Sequence, residues 1–171
     1  LRSIRSDGAM PSPPSRIESG RIMFDGEDLV QVPARRVQKI RGDRIGMVFQ
    51  EPMTALNPVE TVGDQIGEVL EIHTDLDAAQ RRARILEMMH SVHLPDPEQM
   101  IDAYPHQLSG GQRQRVMIAM ALILDPAVLI ADEPTTALDV TTQAQILKLV
   151  REMQQRKNTG VLFITHDFGV V

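Results

Sequence analysis

Apolar residues along this chain change their spacing several times, and each change marks an element. Between Gly20 and Gly26 (GRIMFDG) the apolar side chains stand between two glycines, which predicts a short strand ending in a turn. Arg44 to Gln50 (RIGMVFQ) is a second strand-like run, rich in β-branched and aromatic residues, and is expected to be its partner. Upstream, residues 7–16 (DGAMPSPPSR) combine Gly with several prolines and read as a loop. From Thr61 to Leu94 the spacing becomes helical. Val62, Ile66, Val69 and Leu70 share one face, and Ile85, Leu86, Met89 and Val92 share another. Asp75 or Asp77 is expected to cap the second of these helices, with Pro95 and Pro97 closing it. Further on, Ala127 to Ala131 is continuously apolar, Thr141 to Arg156 is amphipathic, and Gly160 to Thr165 is apolar again. Strand, helix, strand in that order spells a βαβ unit, and uninterrupted apolar strands predict a parallel sheet covered on both faces. The fold class is therefore α/β.

Composition narrows the function. A chain of 171 residues can bury about 70% of its unfolded surface. Its 42% hydrophobic and 24% charged residues are globular values, and no apolar run approaches the roughly 20 residues that a membrane-crossing helix needs. The net charge of -5 supplies no basic field for a phosphate backbone, so no nucleic acid is expected as a partner. The absence of Cys removes disulfides, thiolate metal sites and thiol catalysis together, and fits a reducing compartment. The sequence opens at Leu1 without Met and stops at Val171 inside an apolar stretch, and both ends are expected to be truncations.

The strongest chemical signal is Leu108-Ser109-Gly110-Gly111-Gln112, followed at once by a helical run from Arg113 to Leu124. Glycines there permit close backbone approach, Ser109 supplies a hydroxyl, and the helix start turns free N–H groups and its positive dipole end toward an anion. Taken alone, the same residues could equally form a loop that merely caps a helix. The strand ending in Asp132-Glu133 comes next, at the edge where α/β sheets bind ligands. Asp132 there can hold Mg²⁺ through water, and Glu133, pointing elsewhere, can orient an attacking water or take its proton. Alone, two adjacent acids could be a solvated turn. Thr165-His166-Asp167 ends the following strand and brings His166 to the same edge, where an imidazole can contact a phosphate or a water.

In this order these blocks resemble the ATPase family of ABC transporters. LSGGQ at 108–112 matches the family signature. Leu129 to Pro134 resembles the Walker B strand with its catalytic Glu133, Ala137-Leu138-Asp139 the D-loop, Gln50 the Q-loop glutamine and His166 the switch histidine. The resemblance covers essentially the whole chain. It implies a P-loop NTPase-type, RecA-like parallel sheet core with an antiparallel β segment and an inserted α-helical subdomain. Residues 1–50 would supply partial core and antiparallel segment, 51–115 the helical subdomain ending in the signature, and 116–171 the core with Walker B, D-loop and switch histidine. One motif is missing: no G-x-x-x-x-G-K-[ST] occurs among the 171 residues, so the loop that cradles the β- and γ-phosphates is absent. In the family it lies just upstream of Leu1, Leu1 to Ile4 would be a remnant of the helix after it, and the chain as it stands is expected to hydrolyse ATP poorly.

What the resemblance implies about mechanism is a head-to-tail pair of such domains sandwiching ATP with Mg²⁺. Ser109, Gly110, Gly111 and Gln112 would contact nucleotide on the partner domain, with Ser109 and Gly111 on its γ-phosphate, and Asp139 would help join the sites. Asp132 and Gln50 would serve Mg²⁺, partly through water; Glu133, His166 and Gln50 would form the catalytic set. The stretch Phe49 to Ile66 (FQEPMTALNPVETVGDQI) looks like the ATP-binding subunits of dipeptide and oligopeptide importers and a related nickel branch, with Ala55 where a Ser is expected. Region 51–66 would receive a transmembrane permease, an extracytoplasmic solute-binding protein would act indirectly, and the domain would sit peripherally on the cytoplasmic face of the plasma membrane. A soluble ABC-type ATPase of DNA or ribosomes fits less well, because Gln50 and Ser109 are too close for an inserted coiled coil and zinc cysteines are absent; a non-catalytic relic is the remaining alternative. Arg35, Arg36, Lys39 and Arg41 read as a solvated face, the methionines as core filler, and His90 with His93 as unrelated to metal.

Overall fold

The structure is a computed structural model that describes residues 19–49, 55–135 and 138–165. The chain divides into two compact units, Leu1–Arg41 and Gly42–Val171. In the first, β1 (Met23–Phe24) pairs antiparallel with β2 (Glu27–Asp28), Met23 opposite Asp28 and Phe24 opposite Glu27. Asp25 and Gly26 make the turn, both left-handed with φ of 47° and 81°. An Asp-Gly pair adopts that conformation readily and its twist matches the strands it joins. This corrects the expected pairing of Gly20–Gly26 with Arg44–Gln50: a two-residue turn closes a local hairpin at far lower chain-entropy cost. Asp28 secures the hairpin, its Oδ1 accepting from the amides of Ile22 (3.1 Å) and Val30 (3.2 Å). Helix α1 (Ala34–Ile40) buries Val37 and Ile40 and leaves Arg35, Arg36 and Lys39 exposed, and Arg36 meets Glu27 at 3.0 Å.

The second unit is built on a parallel sheet in the order β3-β4-β5, from β3 (Ile45–Val48), β4 (Val128–Asp132) and β5 (Gly160–Ile164). Val48 lies opposite Ala131, and Asp132 opposite Ile164, so all three strands end at one edge. Burial on both faces holds for β4, whose Leu129, Ile130 and Ala131 are at most 4% exposed. It does not hold for β5, where Leu162 is 49% exposed, because β5 has a strand neighbour on one side only among the described residues.

Between β3 and β4 the chain forms helices α2 (Val62–His73), α3 (Ala78–Ser91), α4 (Pro97–Met100) and α5 (Gly110–Leu122). The sequence leaves Asp75 and Asp77 as alternative caps for α3; the structure selects Asp77, which makes a reciprocal capping box with Gln80 (2.9 and 3.0 Å). The prolines do not stop α3. It ends at Ser91, His93 turns left-handed at φ 56°, and Pro97 opens α4 instead, where a missing N–H costs nothing. At the start of α2 the orphan donors have tertiary acceptors: Val62 N–H reaches the Ala103 carbonyl (2.9 Å) and Gly63 N–H the Ile101 carbonyl (2.8 Å). Thr61 Oγ1 takes the third, from Asp64 (3.1 Å).

Helix α5 is the spine of the unit. Val116, Ile118, Ala119 and Leu122 are at most 1% exposed and join Val62, Ile66, Leu70, Met88, Met89, Leu129 and Ile146 in one core. The last of these comes from α6 (Val140–Lys157), the crossover helix between β4 and β5. Each of the larger side chains, Val, Leu, Ile or Met, contributes about 1.5–3 kcal/mol of burial. Among the described residues no helix is long and apolar enough to cross a membrane.

The tightest approach in this packing is at Gly46 in β3, where a side chain would collide with the Ala121 carbonyl oxygen of α5 and crowd Pro126 Cγ at 3.3 Å. Gly46→Ala is therefore expected to lower the unfolding free energy by about 3 kcal/mol, the upper part of the overpacking range, in urea denaturation followed by circular dichroism. A loss below about 0.5 kcal/mol would mean that α5 does not seat on β3 in this way.

Candidate functional site

At the start of α5, Ser109 is the N-cap: its Oγ accepts the amide of Gln112 (3.3 Å) while Gln112 Oε1 accepts the amide of Ser109 (2.7 Å). This closed box consumes the donors at both ends of the first turn. The amides of Gly110 and Gly111, between them, have no intrahelical acceptor. The Ser109 hydroxyl uses a lone pair in the box, so its own proton is left to give to an anion. Gln112, expected to contact nucleotide, lines the same space and also shapes the turn that presents the other three.

A second helix begins beside it. Asp139 caps α6, its Oδ1 accepting from the Thr142 amide (3.0 Å) and its Oδ2 from the Thr142 hydroxyl (2.7 Å). The hydroxyl bond, then the amide bond, holds the Asp139 carboxyl below the usual carboxylate range. Gly110 lies against Leu138, and Gly111 faces Thr142. Ser109, Gly110, Gly111, Gln112 and Asp139 thus line one concavity of about 420 Å³, shared with Arg115, Leu138, Thr142 and Gln145. The Arg115 guanidinium donates to the Val92 carbonyl (2.7 Å) and to Gln145 Oε1 (3.3 Å). Burial lowers its pKa, but a guanidinium stays charged. Two helix N-termini and one guanidinium face this space against a single exposed carboxylate, a balance that favours an anion.

The acids stand elsewhere. Asp132 ends β4 half-buried, and among the described residues no hydrogen bond or ion pair engages its carboxylate. Glu133 follows with φ 48°, its amide donating to the Ile164 carbonyl (2.9 Å), so the strand pairing persists while the chain leaves the sheet. A left-handed Glu is uncommon and costs backbone strain, a feature that clusters at working sites. An uncommitted carboxylate at a strand end fits a hard cation held through water, so Asp132 suits Mg²⁺. Neither Asp132 nor Glu133 lines the signature concavity. They are linked to it by chain, through buried Pro134 and Thr135, and the Leu138 amide bonds the Thr135 carbonyl (3.1 Å). Gln50, His166, Asp167 and Ala137 lie outside the described residues, as do residues 51–54.

Several contributors escape sequence reading. Thr142, like the already named Gln112, stands at the third helical position after a cap, a spacing that carries a readable signal. Arg115 and Gln145, one turn further on, carry none. Gln65, 3% exposed, holds the loop before α2: its amide nitrogen donates to the carbonyls of Asn57 and Glu60 (both 3.1 Å) and its oxygen accepts from the Asn57 amide (2.9 Å). His90 and His93 do not converge; His90 faces Glu98 (3.1 Å) and His93 faces Glu152 (3.2 Å). Met88, Met89, Met117 and Met153 are core residues, while Met23 is 59% exposed.

Comparison with known proteins places this geometry. A family model described as ABC transporter matches residues 10–136. The peptidoglycan transport ATP-binding protein YejF of Agrobacterium fabrum is 54% identical over 95% of this chain and 30% of its own length. The oligopeptide transport ATP-binding protein OppD of Bacillus subtilis is 49% identical over 99% of this chain and 48% of its own length. The chain thus spans about half the length of such relatives, or less. A dimeric post-hydrolysis structure of the ATP-binding cassette MJ0796, bound to ADP and Pi, superposes with a TM-score of 0.77 at 33% identity, covering 90% of this chain and 65% of that one. With the family model matching residues 10–136, the chain belongs to the ABC transporter family.

Proposed function

We propose that this chain is part of the ATP-hydrolysing subunit of an importer of dipeptides or oligopeptides, working as one of two cassettes joined head to tail around ATP. The observation that carries the reading is the separation of its chemistry into two surfaces. The acids Asp132 and Glu133 occupy the sheet edge, and the open amides of Gly110 and Gly111 occupy a different concavity. The anion site, whose one carboxylate is the Asp139 cap, and the edge that carries Asp132 and Glu133 complete each other when contributed by two chains. The dimeric ADP-and-Pi complex of MJ0796 and the peptide-transport names of the relatives support the same reading.

In this mechanism Glu133 orients the attacking water and accepts its proton, and His166 and Gln50 complete the contacts to water and γ-phosphate. Asp132, with Gln50, would hold Mg²⁺, which when bound neutralises phosphate charge. The Ser109 hydroxyl and the Gly110 and Gly111 amides receive the γ-phosphate oxygens of nucleotide held by the partner cassette. Hydrolysis removes their ligand and releases the pair, since such a clasp distinguishes ATP from ADP. Asp139, exposed beside this turn, faces the same junction. A transmembrane permease docks on region 51–66, of which Glu60, Thr61, Gly63 and Asp64 open onto a concavity of about 440 Å³. A solute-binding protein acts through that permease, and the subunit sits on the cytoplasmic membrane face.

In the natural protein, Glu133→Gln is expected to lower ATP turnover by at least about 100-fold while ATP binding persists and a dimer accumulates on size exclusion. Unchanged turnover, or loss of binding with it, would remove Glu133 from the water-activating role. Gln65→Leu strips the partners from the Asn57 and Glu60 backbone groups and is expected to cost about 2 kcal/mol of stability. The variant should also retain several-fold less permease in affinity co-purification; full retention would place the docking surface away from the 57–61 loop.

A further inference from the structure

The signature glycine Gly111 is readily explained by a ligand that must come close, but the structure shows a nearer cause within the same chain. A Cβ built on Gly111 would lie 2.7 Å from Thr142 Cγ2, closer than such atoms approach, so the space beside Gly111 is already filled by a methyl group of α6. That methyl is not free to turn away. The Thr142 hydroxyl donates to Asp139 Oδ2 at 2.7 Å and its amide to Oδ1 at 3.0 Å, which fixes the side chain, and a β-branched residue in a helix has few alternative rotamers. One turn deeper the two helices are tied again, by Arg115 Nη2 to Gln145 Oε1 at 3.3 Å, while the other arm of Arg115 holds the Val92 carbonyl at the end of α3.

From this contact we infer that Thr142 is a positioning residue: its methyl seats on Gly111 and its hydroxyl holds Asp139, so that the signature turn and the D-loop carboxylate are set as one rigid unit. The functional half of this rests on the proposed reading of Ser109–Gly111 as the γ-phosphate contact; the packing half does not. The consequence for chemistry is positional. If the Thr142 methyl fixes where the Gly110 and Gly111 amides stand relative to Asp139, a change at Thr142 moves both, and displacement of a contact group by about 1 Å can cost two orders of magnitude in rate.

The test exploits the fact that serine keeps the hydroxyl of Thr142 and deletes its methyl, whereas valine does the reverse. Gly111→Ala, made in the natural protein, is expected to lower both the denaturation midpoint and MgATP turnover, the latter by about tenfold, as overpacking at a fixed neighbour does. Adding Thr142→Ser should restore both to the level of Thr142→Ser alone; adding Thr142→Val should restore neither. In Thr142→Val alone, carboxyl NMR titration should show the Asp139 carboxyl rising toward the ordinary range, a readout that loose packing would not produce and that holds even if Gly111→Ala fails to fold. The inference is overturned if serine fails to relieve Gly111→Ala, if valine relieves it equally, or if the Asp139 titration does not move. Failure of the proposed function looks different: wild-type protein would not turn over MgATP, while the denaturation and titration arms would still decide the packing.

Discussion

Helix α5 must be a core element and a surface element along one continuous rod. From Gln114 onward most of its side chains are buried, with Val116, Ile118, Ala119 and Leu122 at most 1% exposed, while Ser109 at its cap remains exposed. The buried turns decide where the open turn stands. Its far end is clamped on β3 through the Gly46–Ala121 contact, where no side chain fits, and its middle packs among α2, α3 and α6. The position of the signature turn is thus inherited from the core, and a close-packed interior allows little slack in passing it on.

That dependence explains what could be read from the residues alone and what could not. The parallel sheet, the crossover helix and the capped start of α3 follow from local period and cap chemistry, and the structure places them where Ala127–Ala131, Thr141–Arg156 and Asp77 indicate. The pairing of β1 required weighing a local turn against a distant strand, and the Asp25-Gly26 turn decides it. The end of α3 lies at Ser91, four residues before Pro95, and is followed by a left-handed His93 that no propensity announces. Leu162 looks like a core residue in an apolar run, and only strand order reveals it as half-exposed.

The same distinction holds at the site. Ser109, Gly110, Gly111 and Asp139 are legible because motif and cap chemistry coincide there. Thr142, Arg115 and Gln145 contribute through contacts between helices far apart in sequence, and Gln65 is a buried amide whose partners are all backbone groups. Polar residues of that kind break the apolar period without signalling why. Their value is architectural: each fixes a loop that otherwise would cost conformational entropy to hold.

The first turn of α2 carries one more implication. Its leading amides end on the carbonyls of Ile101 and Ala103, and Gly63 sits so close to Ile101 that nothing larger than hydrogen fits between them. Five residues beyond Ala103 the chain reaches Leu108, itself buried, and then the signature. The start of α2 and the approach to α5 are therefore geared together like meshed teeth inside the core, since Val62, Ile101 and Leu108 all belong to it.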